Sequence, residues 1–212
     1  HTRLDGVTES DVCSSDLCSD QHLESRLARR VPAESLRGRD LAIDGYNLLI
    51  TIEAALGGGL IFRGRDGCFR DLASIHGTYR RVEETIPAAE LIGDFLTEIG
   101  VARALWLLDS PVSNSGRLKT LLGKLARDHG WPWEIRLTIS PDAELSPQLS
   151  VDSSQLSDRC QLSTANGQLP SVVVTTDSVI LDACPPWTNL AAEIIDKRLP
   201  QTAVVDLYPP TT

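Results

Sequence analysis

Leu41-Ala42-Ile43-Asp44-Gly45, followed by Tyr46-Asn47-Leu48-Leu49-Ile50-Thr51-Ile52-Glu53-Ala54-Ala55-Leu56-Gly57, changes its hydrophobic period in mid-stretch. Leu41 to Ile43 is a compact apolar run ended by a carboxylate and a glycine. Leu48, Leu49, Ile52, Ala55 and Leu56 then recur at helical spacing up to Gly57. The stretch reads as strand, tight turn, helix. A short strand at Leu60 to Phe62 is expected inside the Gly-rich segment that follows.

The same grammar repeats downstream. From Thr85, with Pro87 in the first turn, Leu91, Ile92, Phe95, Leu96 and Ile99 mark an amphipathic helix that stops at Gly100. Ala104 to Leu108 is a second apolar run ending in a carboxylate, Asp109. A basic helix is expected over Ser115 to His129, with Leu118, Leu121, Leu122 and Leu125 inward and Lys119, Lys124 and Arg127 outward. Trp133 to Ile139 alternates as a strand, Val172 to Val174 is a fourth strand, Leu190 to Leu199 a last helix and Ala203 to Leu207 a last strand. Residues 21–39 carry a lead-in helix on Leu23, Leu27 and Val31, ended near Pro32. Residues 140–171, rich in Ser, Gln, Pro and Asp, read as a polar loop or insertion. Continuous apolar strands alternating with helices mean a parallel sheet covered on both faces. The expected fold is therefore α/β, a three-layer α/β/α sandwich with about five parallel strands over residues 40–208.

The chain has 212 residues, 42% of them hydrophobic, and a net charge of −9. This is the composition of one globular domain. The richest apolar run, Tyr46 to Phe62, is broken by Asn47, Glu53 and three glycines, so no membrane span is expected. There is no Met. HTRLDGVTESDVCSSDL (1–17) lacks apolar periodicity and resembles translated sequencing-adapter read-through, so residues 1–20 are read as non-native. Setting Cys13 and Cys18 aside leaves Cys68, Cys160 and Cys184, too scattered for a disulfide framework or a zinc pattern, and a cytoplasmic location is expected. Residues 21–81 carry ten Lys/Arg against seven Asp/Glu, and residues 82–212 nine against seventeen. The basic groups are concentrated early, either as solvated faces or as an anion-binding surface.

Ligands of an open parallel sheet collect beyond the carboxyl ends of its strands. Three strands end there in Asp44, Asp109 and Asp177, with Asp182 a few residues on. Each alone is most simply a helix cap or turn residue. Three carboxylates in one crevice repel, and are tolerated when protonated, paired with cations or bridged by metal. Hard oxygen donors suit Mg²⁺ or Mn²⁺. Gly57-Gly58-Gly59 lacks the Gly-Lys-Ser/Thr of a phosphate-binding loop, His22, His76 and His129 have no ligand-spaced partner, and there is no Gly-x-Ser-x-Gly elbow.

Ile43-Asp44-Gly45-Tyr46-Asn47-Leu48-Leu49-Ile50-Thr51 resembles the opening of PIN-like and NYN-type nuclease domains. Together with Asp66-Gly67 through Arg70-Asp71, His76-Gly77-Thr78-Tyr79-Arg80, Leu107-Leu108-Asp109-Ser110-Pro111-Val112-Ser113, Ser115-Gly116 and Val174-Thr175-Thr176-Asp177-Ser178, it is similar to an uncharacterised prokaryotic PIN-like family of the DUF434/DUF5616 type, over about residues 22–207. The resemblance implies a PIN-like domain acting as a divalent-metal-dependent nuclease, on RNA in preference to DNA. It implies Asp44, Asp109 and Asp177 as Mg²⁺ or Mn²⁺ ligands, with Asp182 or Asp71 as a further acidic group, and Asn47 hydrogen-bonding a ligand carboxylate, a water or a phosphate. Arg70, Arg80, Arg81, Arg117 and Lys119 are expected to position backbone phosphates. The expected partner is nucleic acid, with no membrane, and a homodimer is compatible with it. The alternatives are a non-catalytic PIN-like module that binds RNA or protein, and a metal-dependent phosphatase.

Overall fold

A computed structural model of the chain describes residues 20–71, 84–146 and 172–208. In chain order come helix α1 (Asp20–Arg29), a 3-10 turn (Ala33–Leu36), β1 (Asp40–Asp44), α2 (Gly45–Leu56), β2 (Ile61–Arg63), β3 (Phe69–Asp71) and α3 (Thr85–Ile99). There follow β4 (Arg103–Asp109), α4 (Ser115–His129), β5 (Trp133–Thr138), α5 (Pro141–Leu145), β6 (Val172–Val174), α6 (Ser178–Ala183), β7 (Trp187–Thr188), α7 (Leu190–Arg198) and β8 (Val204–Asp206). Arg80, Arg81, His76 and the body of the expected polar loop lie outside the described residues.

Five strands form one parallel sheet in the order β5-β4-β1-β6-β7. The chain moves outward from β1 to β4 and β5, then returns to build β6 and β7 on the other side. Connections therefore diverge between β1 and β6, which opens a crevice beyond their carboxyl ends. The sheet is the expected α/β sandwich, but its membership differs at one edge. The fifth strand is β7, only two residues long, and the expected last strand, β8, pairs instead with β2 in a small second sheet with β3.

Strand alternation assigns the two faces. Leu41 and Ile43, Trp106 and Leu108, and Val172 and Val174 pack on one side against apolar residues of α2, α3, α4 and α7. Ala42, Leu105, Leu107 and Val173 face the other side, with Leu145 of α5 and Ile180 and Leu181 of α6. Asp44 and Asp109 have the parity of Ala42 and Leu107, so both lie on the α5/α6 side of the sheet. Gly45 lets α2 start immediately after Asp44. A Cβ there would stand 2.5 Å from Leu108 Cδ2 and 2.8 Å from the Leu107 carbonyl.

Two local expectations are corrected. The start of the polar segment is helical: Ser140 caps α5 by accepting from the Ala143 amide at 3.3 Å, and Pro141 occupies its first turn. In α1 the inward residue is Arg26, 1% exposed, whereas Leu27 is 47% exposed. The Arg26 guanidinium meets Asp182 through Nε at 2.6 Å, Asp66 through Nη1 at 2.8 Å and the Ser178 carbonyl through Nη2 at 3.1 Å. Its own carbonyl accepts from Trp187 Nε1 at 2.8 Å. Helix α1 is thus docked on α6 by a buried cation rather than by an apolar stripe.

Removing one partner of a buried ion pair costs about 3–5 kcal/mol. Arg26→Ala is expected to lower the unfolding free energy, measured by urea titration, by that order, and Arg26→Lys by less. A change below about 0.5 kcal/mol, the level of an ordinary surface substitution, would show that α1 is not held this way.

Candidate functional site

The crevice between β1 and β6 is built from strand ends. Asp44, 7% exposed, closes β1 and precedes α2, yet it makes no side-chain capping hydrogen bond to that helix. Its Oδ2 accepts instead from Thr175 Oγ1 at 2.9 Å. Asn47, on the first turn of α2, accepts through Oδ1 from both the amide and the hydroxyl of Thr176 at 2.9 Å. The Thr175-Thr176 link after β6 is therefore pinned to the start of α2 by two side chains. Asp177 follows, and its Oδ1 accepts from the amides of Val179 at 2.7 Å and Ile180 at 3.2 Å, capping α6.

The strand-end carboxylates feel one another's charge. The Asp44 carboxyl is pushed from an ordinary 3.8 up to about 7, chiefly by burial, against the Thr175 hydrogen bond and with the charges of Asp177, Asp142 and Asp109 adding to it. Asp109 is raised by burial and by Asp142, and Asp142 by burial and by Asp177. Tyr46, buried one residue beyond Gly45, has its phenol raised by burial and by Asp109. The crevice is a set of mutually repelling acids, and every charge named as acting on Asp44 is a carboxylate. Asp142 was not among the sequence candidates. Its signal was nonetheless present, since Ser140-Pro141-Asp142 is a helix start with an acid in the first turn.

Other candidates sit elsewhere. Asp182 is bound by Arg26 and by His22 Nδ1 at 3.1 Å. Asp71 is buried under α2, where its Oδ2 accepts from Thr51 Oγ1 at 3.3 Å, one helical turn beyond Asn47. Arg70 is bidentate to Asp66, with Nη1 at 3.1 Å from Oδ1 and Nη2 at 2.8 Å from Oδ2. Its Nε donates to the Thr176 carbonyl at 3.0 Å. Arg70 therefore holds the loop that holds Asn47. Arg117 and Lys119 are exposed on the first turns of α4.

Oxygen donors of this kind suit a hard divalent cation, and a cation would cancel the repulsion that raises Asp44. Among the described residues, however, no three His, Cys, Asp or Glu side chains are grouped closely enough to enclose an ion. The donor set fits an ion carried by one or two carboxylates and completed by water and phosphate oxygens, as Mg²⁺ commonly is.

The chain belongs to the family described as Domain of unknown function (DUF5616), whose model matches residues 33–193. The matched segment contains Asp44, Asn47, Asp109, Asp142 and Asp177. Over 136 residues the chain is 30% identical to an uncharacterized protein of Methanocaldococcus jannaschii, covering 64% of this chain and 65% of that protein. No solved structure matches it significantly. Among the described residues no helix is long and apolar enough to cross a membrane.

The raised Asp44 carboxyl predicts a pH dependence of stability. With the folded value near 7 and the ordinary one at 3.8, the native state retains a proton that the unfolded chain releases between about pH 4 and 7. The stabilisation is complete below that window and is lost as pH rises through it, with a slope of at most about 1.4 kcal/mol per pH unit. Urea unfolding of Asp44→Asn should show a flatter profile than the parent and greater stability at pH 8. Parallel profiles for the two proteins would contradict a raised Asp44.

Proposed function

We propose that this chain is a PIN-like, divalent-metal-dependent nuclease that hydrolyses phosphodiester bonds, RNA in preference to DNA. The observation that carries the reading is that Asp44 and Asp109 end neighbouring strands on one face of the parallel sheet at its switch point, with the buried Asp44 carboxyl raised to about 7 by burial and, in addition, by the charges of Asp177, Asp142 and Asp109. A buried, strongly perturbed carboxyl in a cleft, surrounded by like charge, marks a functional site more often than a structural one. The resemblance of the Asp44 to Thr51 segment to PIN-like and NYN-type openings supplies the reaction class and the preference for RNA.

In this reading Asp44 and Asp109 are the principal ligands of Mg²⁺ or Mn²⁺, with Asp142 and Asp177 acting on the waters around the ion. Such an ion lowers the pKa of a bound water and offsets charge developing on a phosphodiester. Thr175 fixes the orientation of the Asp44 carboxylate. With Oδ1 taken by Thr176, Asn47 keeps its Nδ2 donors for a phosphate oxygen or a bound water. Arg117 and Lys119 lie exposed on the helix that follows Asp109, and in this reading they contact backbone phosphates. Arg70 acts indirectly, by fixing the Thr176 carbonyl. A second reading, a non-catalytic RNA-binding module, is favoured by the capping role of Asp177 and by the lack of a closed ligand set among the described residues.

Purified protein with Mn²⁺ is expected to cleave a labelled single-stranded RNA, with activity lost in EDTA. Asp44→Asn and Asp109→Asn should each reduce the rate on the order of 100-fold or more, at least the loss that follows removal of a ligand's supporting partner. The nuclease reading fails if all RNA and DNA substrates stay intact while Asp44→Asn alters neither Mn²⁺ binding nor stability. Tight RNA binding indifferent to metal would establish the second reading in its place.

A further inference from the structure

Away from the carboxylate crevice, the open edge of the sheet carries a groove of about 590 Å³ between α4 and β5. Trp131, Trp133 and Ile135 form its apolar wall, and Lys119 and Arg127 stand on the helical side; no carboxylate lines it. Trp131 and Trp133 are stacked at 4.6 Å, and Trp133 leans on the buried Trp106 at 4.8 Å, so the wall is rigid. The helical side is kept low by Gly123. A Cβ at that position would meet nothing nearer than Arg127 Nη1 at 3.6 Å. Glycine in a helix interior lowers helix stability relative to alanine, and no neighbour here demands it. Its effect is to leave the groove open.

The charges point to the occupant. Arg117, Lys119, Lys124 and Arg127 of α4 have no ion pair among the described residues, and Asp128 is the one acid of that helix. Several cations elsewhere are matched, among them Arg63 with Asp206, Arg103 with Asp40, Arg136 with Glu134 and Lys197 with Glu193. Lys119 and Arg127 are separated by eight residues, about 12 Å along the helix. Because α4 leaves the carboxyl end of β4 and runs back along the sheet, Lys119 is nearer the crevice and Arg127 farther from it.

We propose that this groove binds single-stranded RNA, with phosphates on Lys119 and Arg127 and bases against the Trp133 and Ile135 wall. Unpaired cations beside an aromatic wall, with no opposing acid, are the arrangement single-stranded nucleic acid requires. The proposal rests on the nuclease reading for the chemistry at the crevice and stands apart from it for binding.

The test is fluorescence anisotropy of the full chain with a labelled RNA of about 12 nucleotides, in EDTA so that nothing is cleaved. Lys119→Glu and Arg127→Glu should each weaken binding about 10-fold and reduce the slope of log affinity against log salt by about 0.7 per lost phosphate contact. Lys124→Glu changes the net charge equally outside the groove and should have a smaller effect. Gly123→Gln fills the groove without changing charge, and should weaken binding while leaving the melting temperature unchanged or raised. The groove is overturned if Lys124→Glu is as damaging as the two groove reversals, or if Gly123→Gln binds like the parent. It is also overturned if the protein is a dimer that Gly123→Gln dissociates, since a second copy would then be the occupant. Binding that depends on Lys119, Arg127 and Gly123, with no hydrolysis in any metal, supports the groove and removes the nuclease reading. Metal-dependent hydrolysis with binding insensitive to these positions removes the groove alone.

Discussion

Asp66, 1% exposed, lies between the guanidiniums of Arg26 and Arg70, and the candidate site depends on that contact. Burial alone would raise its pKa, but the hydrogen bonds and charges of Arg70, the Cys68 amide and Arg26 outweigh it and hold the carboxyl at about 2. Through Arg26 the contact secures α1 and α6. Through Arg70 it reaches the Thr176 carbonyl, and Thr176 in turn binds Asn47 at the start of α2. Elements from opposite ends of the chain are thus tied to the loop beside Asp44. Asp44 is the counterpart with the opposite environment. It too is buried, but its charged neighbours are acids and its carboxyl sits near 7. Two aspartates in one domain, one paired with cations and the other opposed by anions, are thus shifted in opposite directions from the same ordinary value.

The sandwich was legible because each major element carries its own period and its own stop. Helices α3 and α4 end at Gly100 and Gly130, both left-handed, and β1, β4 and β6 are apolar runs too short to be helices. What escaped has a physical cause in each case. Strand β7 is two residues long, below any detectable periodicity, and it completes the sheet through pairing with β6. Among the described residues strand β3 pairs with β2 alone, so its definition is tertiary. In α1 the usual rule inverts, since the buried face is set by Arg26 and its ion pairs while Leu27 faces water. No hydrophobic pattern can report a helix docked by charge.

The site was legible where strand parity governs it. Asp44 and Asp109 follow directly from the ends of β1 and β4, and a two-residue alternation puts them on one side of the sheet. The further acidic groups lie apart from the ends of β1 and β4, because closeness in sequence is not closeness across a helix. Asp182 is five residues past Asp177, more than one turn into α6, and there it turns to Arg26 and His22. Asp142 is 35 residues from Asp177 in sequence, yet its carboxyl is raised by burial and by the charge of Asp177, because α5 returns over the strand ends. Thr175 shares the parity of Val173 and so faces Asp44, to which its hydroxyl donates.

Regional charge sums mislead for the same reason. The early segment looks basic, with ten Lys/Arg against seven Asp/Glu in residues 21–81. Yet Arg26 and Arg70 are held by Asp66, and Arg29 donates to the carbonyls of Leu181 and Cys184. The unmatched cations of α4 lie instead within residues 82–212, the region with the large acidic excess. A sum over sequence counts paired and unpaired charges alike, whereas an approaching polyanion responds to the field left after pairing. Two features contribute to that residual field, the carboxylate crevice at the carboxyl ends of β1 and β4 and the cations of α4 beside the open edge of β5. Only the first requires an added cation before a phosphate could approach it. The second is already of the sign that draws one in.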